Sequence, residues 1–294
     1  MQINIITVND MCQLDTTGPY EVLARIPDWT VDLVATSIEP VRTDRGLTIM
    51  PTQTRESAKP SDILVVPGGP GIDDAMLDDS WIAFAQREAA KAQYVFSVCT
   101  GSLLLAAAGL LTGRRAGGHW QARDLLARFG VTPSDARLTV DGKFYTSAGV
   151  TSGIDMALRV VADIVGEETA RKIQLAIEYD PAPPFPGGTP FTSPPEIVKA
   201  VLDGSSQRRA DRERIVAACV RRSVSLPLET NGTPVLAIGS TGDPTTRRTL
   251  NGANDRHRPD VHLLRYTGDP DGDRVRLCLR PFDRRGRLYL RARP

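Results

Sequence analysis

Short β-rich apolar runs alternate with longer segments of helical periodicity through the first 204 residues. Four runs predict strands, at 3–8, 30–36, 62–71 and 94–98. Helices are predicted at 16–26 (with Thr16 or Thr17 as N-cap), 80–93, 100–111, 119–130, 152–166, 167–179 and 195–204. Residues 137–149 predict a hairpin that turns at Asp141-Gly142. This alternation predicts an α/β fold, a doubly wound and mainly parallel sheet with helices on both faces.

The pattern weakens beyond residue 204. Residues 207–223 predict one more helix, and the remainder is rich in Arg, Asp, Gly and Pro. Residues 205–294 contain 19 arginines, no lysine and 10 acidic residues, so this segment is net positive, whereas residues 1–204 are net negative. We therefore expect one domain over 1–204 and an Arg-rich, largely irregular extension over 205–294. We interpret the extension as a fusion or frameshift remnant, because GC-rich DNA read out of frame has this composition.

Composition places the chain among globular proteins. Of its 294 residues, 41% are hydrophobic and 24% charged. No apolar run approaches the roughly 18 residues of a membrane span, and the N-terminus lacks the features of a signal peptide. These features predict a cytoplasmic protein without a membrane partner.

The chain has four cysteines, whose positions bear on possible metal, disulfide or catalytic roles. Their spacing, and that of the three histidines, indicates neither a zinc site nor a disulfide framework. Single cysteines in apolar surroundings are typically small buried hydrophobes, which is our prediction for Cys12, Cys219 and Cys278.

Cys99 differs because it lies between a predicted strand and a predicted helix. A sharp turn there projects the side chain above the sheet as a nucleophile elbow, and Gly101 permits close approach to that turn. The positive end of the following helix favours a thiolate. Ligand crevices of such sheets lie at the carboxyl ends of the strands. Cys99 is therefore predicted to be reactive.

Several motifs extend this site. They occur in one order along the chain: QLDTTGPYEVLA at 13–24, VVPGGPG at 65–71, SVCTGSLLLAAAGLLTGRRA at 97–116, HW at 119–120, SAGVTSGIDMAL at 147–158 and IQLAIEYDPAPPF at 173–185. With these stretches the sequence resembles the DJ-1/PfpI superfamily of class I glutamine amidotransferase-like domains. Within it, the likeness is to bacterial isonitrile hydratases. The resemblance implies a flavodoxin-like fold, a homodimer, and no metal or organic cofactor.

The resemblance also implies roles for individual residues. Cys99 occupies the nucleophile position, Asp15 the position of an acidic group beside it, and Thr100 a position whose hydroxyl assists. Backbone N–H groups of Gly69 (in one turn with Gly68) and of Thr100 would face the reacting centre. His119 stands where many members carry a histidine. These last positions, Gly68, Gly69 and His119, are the predicted substrate- or oxyanion-binding residues.

Each assignment has a structural alternative. Asp15 could cap a helix beginning near residue 16, and Thr100 could cap its own helix. Gly68 and Gly69 could form only a tight turn, and His119 could be structural. One departure is clear: the relatives' RRATTHW is RRAGGHW here, so Gly117 and Gly118 could widen the site.

The implied reaction is hydration of an isonitrile to an N-substituted formamide through a Cys99 thioimidate. The alternatives are a glyoxalase- or deglycase-like activity, which usually pairs the cysteine with glutamate, and a redox sensor oxidised at Cys99. A further alternative is the sensor domain of a transcription regulator. Nucleic acid is a poor candidate partner, because a double helix-turn-helix needs several helices and 205–294 predicts one.

Overall fold

The computed structural model describes residues 1–225. The strands in this part of the chain are β1 (Gln2–Ile6), β2 (Thr30–Ala35), β3 (Val41–Arg42), β4 (Thr48–Ile49), β5 (Gln53–Thr54), β6 (Ile63–Val66), β7 (Tyr94–Ser97), β8 (Arg115–Ala116), β9 (Thr132–Pro133), β10 (Leu138–Asp141) and β11 (Phe144–Ser147). The helices are α1 (Gln13–Leu23), α2 (Gly71–Ala75), α3 (Asp79–Lys91), α4 (Gly101–Ala107), α5 (Ser152–Val165), α6 (Glu167–Ala176), α7 (Pro195–Gly204) and α8 (Ser206–Ser225), with a 3₁₀ helix at Arg123–Phe129.

A seven-stranded sheet organises the fold. Its order is β10-β11-β7-β6-β1-β2-β5, and only β10 runs antiparallel to its neighbour. Alternate residues of the central strand β6 enter different cores: Leu64 and Val66 on one face, Ile63 and Val65 on the other. Both faces are covered, which explains why β6 is a continuous apolar run. The predicted doubly wound α/β fold is confirmed.

Two local predictions are wrong. The segment 119–130 holds a 3₁₀ helix over Arg123–Phe129 where an α-helix was expected. Helix α1 begins at Gln13, earlier than expected, and no side chain caps it. Thr16 therefore lies buried within the helix, where it donates a hydrogen bond to Met11, and does not act as the N-cap.

Helix α8 lies in the segment that we expect to be an Arg-rich extension, and the helix predicted there is present. It spans Ser206–Ser225, close to the predicted 207–223, and packs on the sheet domain. Val216 and Cys219, three residues apart on one helical face, are buried in the core. Arg212 donates two hydrogen bonds to the Asp73 carboxylate at 2.7 and 2.9 Å. Residues 226–294, with Cys278, lie outside the described part of the chain.

The Arg212–Asp73 pair is expected to hold α8 in place. The two side chains are 7% and 11% exposed, and burial raises the pKa of Asp73, an effect that Arg212 partly offsets. Arg212→Met leaves the carboxylate buried without its partner. We expect a loss of about 3–5 kcal/mol in the free energy of unfolding at pH 8, measured by urea denaturation. The loss should shrink at pH 5, where Asp73 can take up a proton.

The matched control is Arg214→Met on the exposed face of α8, where Arg214 pairs with Asp211. It should change stability by no more than about 0.5 kcal/mol. Equal losses for the two variants would show that the buried pair does not hold the helix.

No helix in residues 1–225 is long and apolar enough to cross a membrane.

Candidate active site

The turn that carries Cys99 is strained. It connects β7 to α4, and Cys99 has φ +59°, a left-handed conformation that non-glycine residues adopt at some energetic cost. Two backbone hydrogen bonds hold it: Cys99 N–H donates to Ala148 O at 2.8 Å, and His119 N–H donates to Cys99 O at 3.0 Å. The predicted strand–turn–helix geometry is thus present. Such a conformation is often stored at functional sites.

Asp15 lies fully buried in the first turn of α1. Its Oδ2 accepts a hydrogen bond from Gly68 N–H at 2.9 Å, and its Oδ1 has no hydrogen-bond partner of standard geometry among the described residues. Burial raises the pKa of Asp15 to about 7, although Gly68 N–H and the neighbouring Cys99 and Cys12 thiols oppose the rise. A carboxyl with a pKa in this range can both give and take a proton at neutral pH. It does not cap α1.

The Cys99 thiol contradicts one expectation. The residue is 6% exposed. Burial raises the pKa of its thiol well above the usual range, and the nearby Asp15 charge raises it further by a smaller amount. The Thr100 N–H at the helix terminus lowers the pKa, as predicted, but burial outweighs it. Cys99 is thus a thiol at rest, and a thiolate requires a proton acceptor beside it. Asp15 can accept that proton.

Thr100 joins the turn to the glycine loop. Its hydroxyl accepts a hydrogen bond from Gly69 N–H at 3.0 Å and makes no capping bond to α4. The Gly69 N–H, predicted to face the reacting centre, is therefore already engaged, and the Gly68 N–H is bound to Asp15. Of the expected donors, Thr100 N–H is the one that interacts with the Cys99 sulfur.

Gly68 marks where these groups meet. A Cβ added there would lie 2.5 Å from Thr100 N, 2.8 Å from Asp15 Oδ2 and 2.8 Å from Cys99 Cβ. Gly68→Ala must therefore displace the candidate acid or the candidate nucleophile. We expect turnover to fall by about 100-fold, since small misplacements of reacting groups have effects of this size.

The control is Gly188→Ala, where an added Cβ meets nothing within 4 Å. Steady-state turnover of the two variants, measured with the same substrate, tests whether the loss is specific to Gly68. Wild-type rates in Gly68→Ala would mean that the close packing around Gly68 is not needed.

A cavity of about 420 Å³ opens over this turn, a size typical of small-molecule sites. Cys99, Thr100 and His119 line it, while Asp15 lies fully buried beside Cys99 and does not line it.

Burial, with the charges of Arg212 and Arg123, lowers the pKa of His119 to about 4, so this predicted binding residue is neutral at pH 7.

The two glycines that depart from the relatives do not line the cavity. Gly117 N–H donates to Thr146 Oγ1 at 2.7 Å, and a Cβ on Gly118 would lie 2.7 Å from Ser102 Oγ. Both positions are buried behind the turn. Neither glycine therefore borders the cavity directly.

Two sets of lining residues were not predicted. Cys12 was expected to be a small core hydrophobe, but it is half-buried in the cavity wall beside Asp15. Its thiol has a pKa raised to about 11, mainly by burial and to a smaller extent by the Asp15 charge. Its spacing of three residues from Asp15, one turn at the start of α1, was the available signal. The second set is Ser205 and three residues near the start of α8, Arg208, Arg209 and Arg212.

Among the described residues, no group of three or more His, Cys, Asp or Glu side chains is arranged to hold a metal ion.

Comparisons with known proteins identify the family of this chain. The model of the DJ-1/PfpI family matches residues 1–163. The isonitrile hydratase of Pseudomonas putida is 43% identical over 225 residues, 76% of this chain and 97% of that protein. A crystal structure of a THiJ/PfpI family protein from Pseudomonas syringae superposes with a TM-score of 0.71 at 37% identity, covering 73% of this chain and 90% of that one.

A helix-turn-helix transcriptional regulator of Pseudomonas aeruginosa is 32% identical over 136 residues, 45% of this chain but 35% of the regulator. The regulator thus shares only part of its length with this chain, whereas the hydratase shares nearly all of its own. From the fold, the Cys99 turn and the family match over residues 1–163, the chain belongs to the DJ-1/PfpI family.

Proposed function

We propose that this protein is an isonitrile hydratase that converts an isonitrile, R–N≡C, into the formamide R–NH–CHO. The observation that carries the proposal is the buried pair of Cys99 and Asp15, in which a thiol with a raised pKa adjoins a carboxyl with a pKa of about 7. The similarity to an isonitrile hydratase over 97% of that protein's length supports it.

Covalent attack is the first step of the proposed reaction. The Cys99 sulfur bonds to the terminal carbon of the isonitrile while its proton passes to Asp15. Asp15 then delivers a proton to the same carbon, giving the thioimidate R–N=CH–S–Cys99. The near-neutral pKa of Asp15 suits both transfers, because it lets the carboxyl exchange protons at neutral pH.

Water completes the reaction. Its oxygen adds to the thioimidate carbon as Asp15 takes a proton from it and returns one to the nitrogen. The carbon–sulfur bond then breaks, the sulfur regains a proton from the new hydroxyl, and the formamide leaves. The Thr100 N–H can stabilise negative charge on sulfur at both stages.

A glyoxalase- or deglycase-like activity is the alternative from the same family. We favour hydration because the residue beside Cys99 is aspartate. The regulator alternative has less support, since the similar regulator matches over only 35% of its length.

A substrate comparison tests the proposal. Purified protein is assayed with cyclohexyl isocyanide and with methylglyoxal, following formamide by NMR and loss of the dicarbonyl by absorbance. Formation of N-cyclohexylformamide at a far higher kcat/KM supports the hydratase. Turnover of methylglyoxal alone would overturn it in favour of the alternative.

We also propose that the chain forms a homodimer, as its family resemblance implies. Helix α7 has no buried residue, and its Ile197, Val201 and Leu202 are exposed, as are Phe185 and Phe191 in the preceding loop. Exposed apolar surface of this kind commonly marks an interface.

Light scattering of the full chain should therefore give twice the 31.9 kDa of one chain. Ile197→Asp should shift the mass toward the monomer, and Lys199→Ala, on the same helix, should not. A wild-type mass of one chain would contradict the dimer.

A further inference from the structure

The cavity above Cys99 has walls of different chemistry. One wall carries the sulfur, the Thr100 side chain and His119, which is neutral at pH 7. The other is the start of α8, where three arginines line the same space. A purely apolar isonitrile would offer no hydrogen-bond acceptor to a guanidinium on this wall, whereas an anionic group would.

Two of these arginines are already bound. Arg209 donates to both oxygens of Asp124, at 2.7 and 2.6 Å, and to Glu213 at 2.7 Å. Arg212 is held by Asp73. These pairs fix the two side chains, and the three carboxylates more than balance the two positive charges, so neither arginine is a free cation.

Arg208 lies on the same wall and is different. It is exposed, lines the cavity, and has no hydrogen bond or ion pair within 4.0 Å among the described residues. Arg45, which also lines the cavity, has Asp44 at 3.5 Å, and this pair is close to neutral. Arg208 is therefore the arginine of this wall whose guanidinium donors are unpaired within residues 1–225, and it lies in the first turn of α8, where the helix terminus also favours an anion.

We infer that the cavity selects isonitriles that carry a carboxylate, which Arg208 binds while the isonitrile carbon reaches Cys99. The Arg208 guanidinium has its donors unpaired in the described part of the chain, and two parallel N–H donors of a guanidinium match the two oxygens of a carboxylate. The product would be a formamido carboxylate. The inference rests on the proposed hydratase function, of which it names the substrate class.

A matched pair of substrates tests the inference. 4-Isocyanobenzoate and its methyl ester differ mainly in charge, and each is assayed with wild-type protein, Arg208→Gln and Arg214→Gln. Arg214 is on the same helix, exposed, and not in the cavity wall, so its variant controls for the loss of one positive charge. We expect kcat/KM for the acid to exceed that for the ester by about tenfold or more in the wild type and in Arg214→Gln, a typical effect of one charge-assisted contact.

In Arg208→Gln the ratio of acid to ester should fall to near one. A ratio near one in the wild type, or a ratio unchanged by Arg208→Gln, would overturn the inference.

A binding measurement separates this inference from the reaction itself. Calorimetry compares 4-formamidobenzoate with its methyl ester on the same three proteins. Tighter binding of the acid that Arg208→Gln removes supports the carboxylate site, even if neither isonitrile is hydrated, in which case only the proposed reaction fails. Equal binding of acid and ester refutes the carboxylate site, even if both isonitriles are hydrated.

Discussion

Replacing Cys99 by alanine is expected to reduce isonitrile hydration to the uncatalysed background, a loss of about 10⁴-fold or more. Without the sulfur, no thioimidate can form, and Asp15 has no substrate-bound intermediate to protonate. Alanine accepts the φ of +59° about as poorly as cysteine does, so the fold should be kept to within about 1 kcal/mol. Formamide release, followed by NMR at saturating substrate, measures the loss.

Cys219→Ala is the matched control for that substitution. Cys219 is also buried, but it lies on α8 against the Met76 carbonyl and outside the cavity wall. Its variant should retain wild-type turnover. Residual activity above about one per cent in Cys99→Ala would rule out covalent catalysis at this residue.

Asp15→Asn should lower kcat/KM by about 10²- to 10⁴-fold, the usual contribution of a positioned acid–base group. The amide can still accept the Gly68 N–H bond, so the loop geometry should survive. What it cannot do is take the Cys99 proton or return one to carbon. In the wild type, kcat/KM should rise as pH passes about 7, where Asp15 becomes able to accept that proton.

The same variant should change how stability depends on pH. The folded pKa of Asp15, about 7, is above its ordinary value of 3.8, so the folded state holds this proton more tightly than the unfolded chain. The favourable contribution is complete below pH 3.8 and is lost as pH rises through about 7. Its size is on the order of 4 kcal/mol.

Urea denaturation at pH 4 and pH 8 measures this effect for the wild type and Asp15→Asn. The wild type should lose more stability over that interval than the variant does. Parallel pH profiles would mean that Asp15 is ionised normally and cannot act as proposed.

Much of the fold and the centre of the site could be predicted from the sequence. The apolar runs of β6 and β7 are local signals, and the Cys99 turn follows from a strand, a small residue and a helix in succession. Asp15 was found through its motif, because a buried carboxyl next to a loop 53 residues away leaves no local pattern.

The protonation state of Cys99 could not be predicted, because it depends on the balance between burial and the helix terminus, and burial is set by tertiary packing. The role of α8 was also missed. The helix itself was predicted at 207–223, but its packing against the domain was not, because the residue that neutralises Arg212 lies 139 positions earlier.

The two walls of the cavity are encoded far apart in the gene. The candidate reacting residues, Asp15 and Cys99, precede residue 100, whereas helix α8 starts at residue 206. If Arg208 selects the substrate as we infer, a library confined to Ser205 and Arg208 should change which isonitriles bind without altering Cys99 or Asp15. Relatives with the same reactive turn but a different helix in the place of α8 are then expected to act on different compounds.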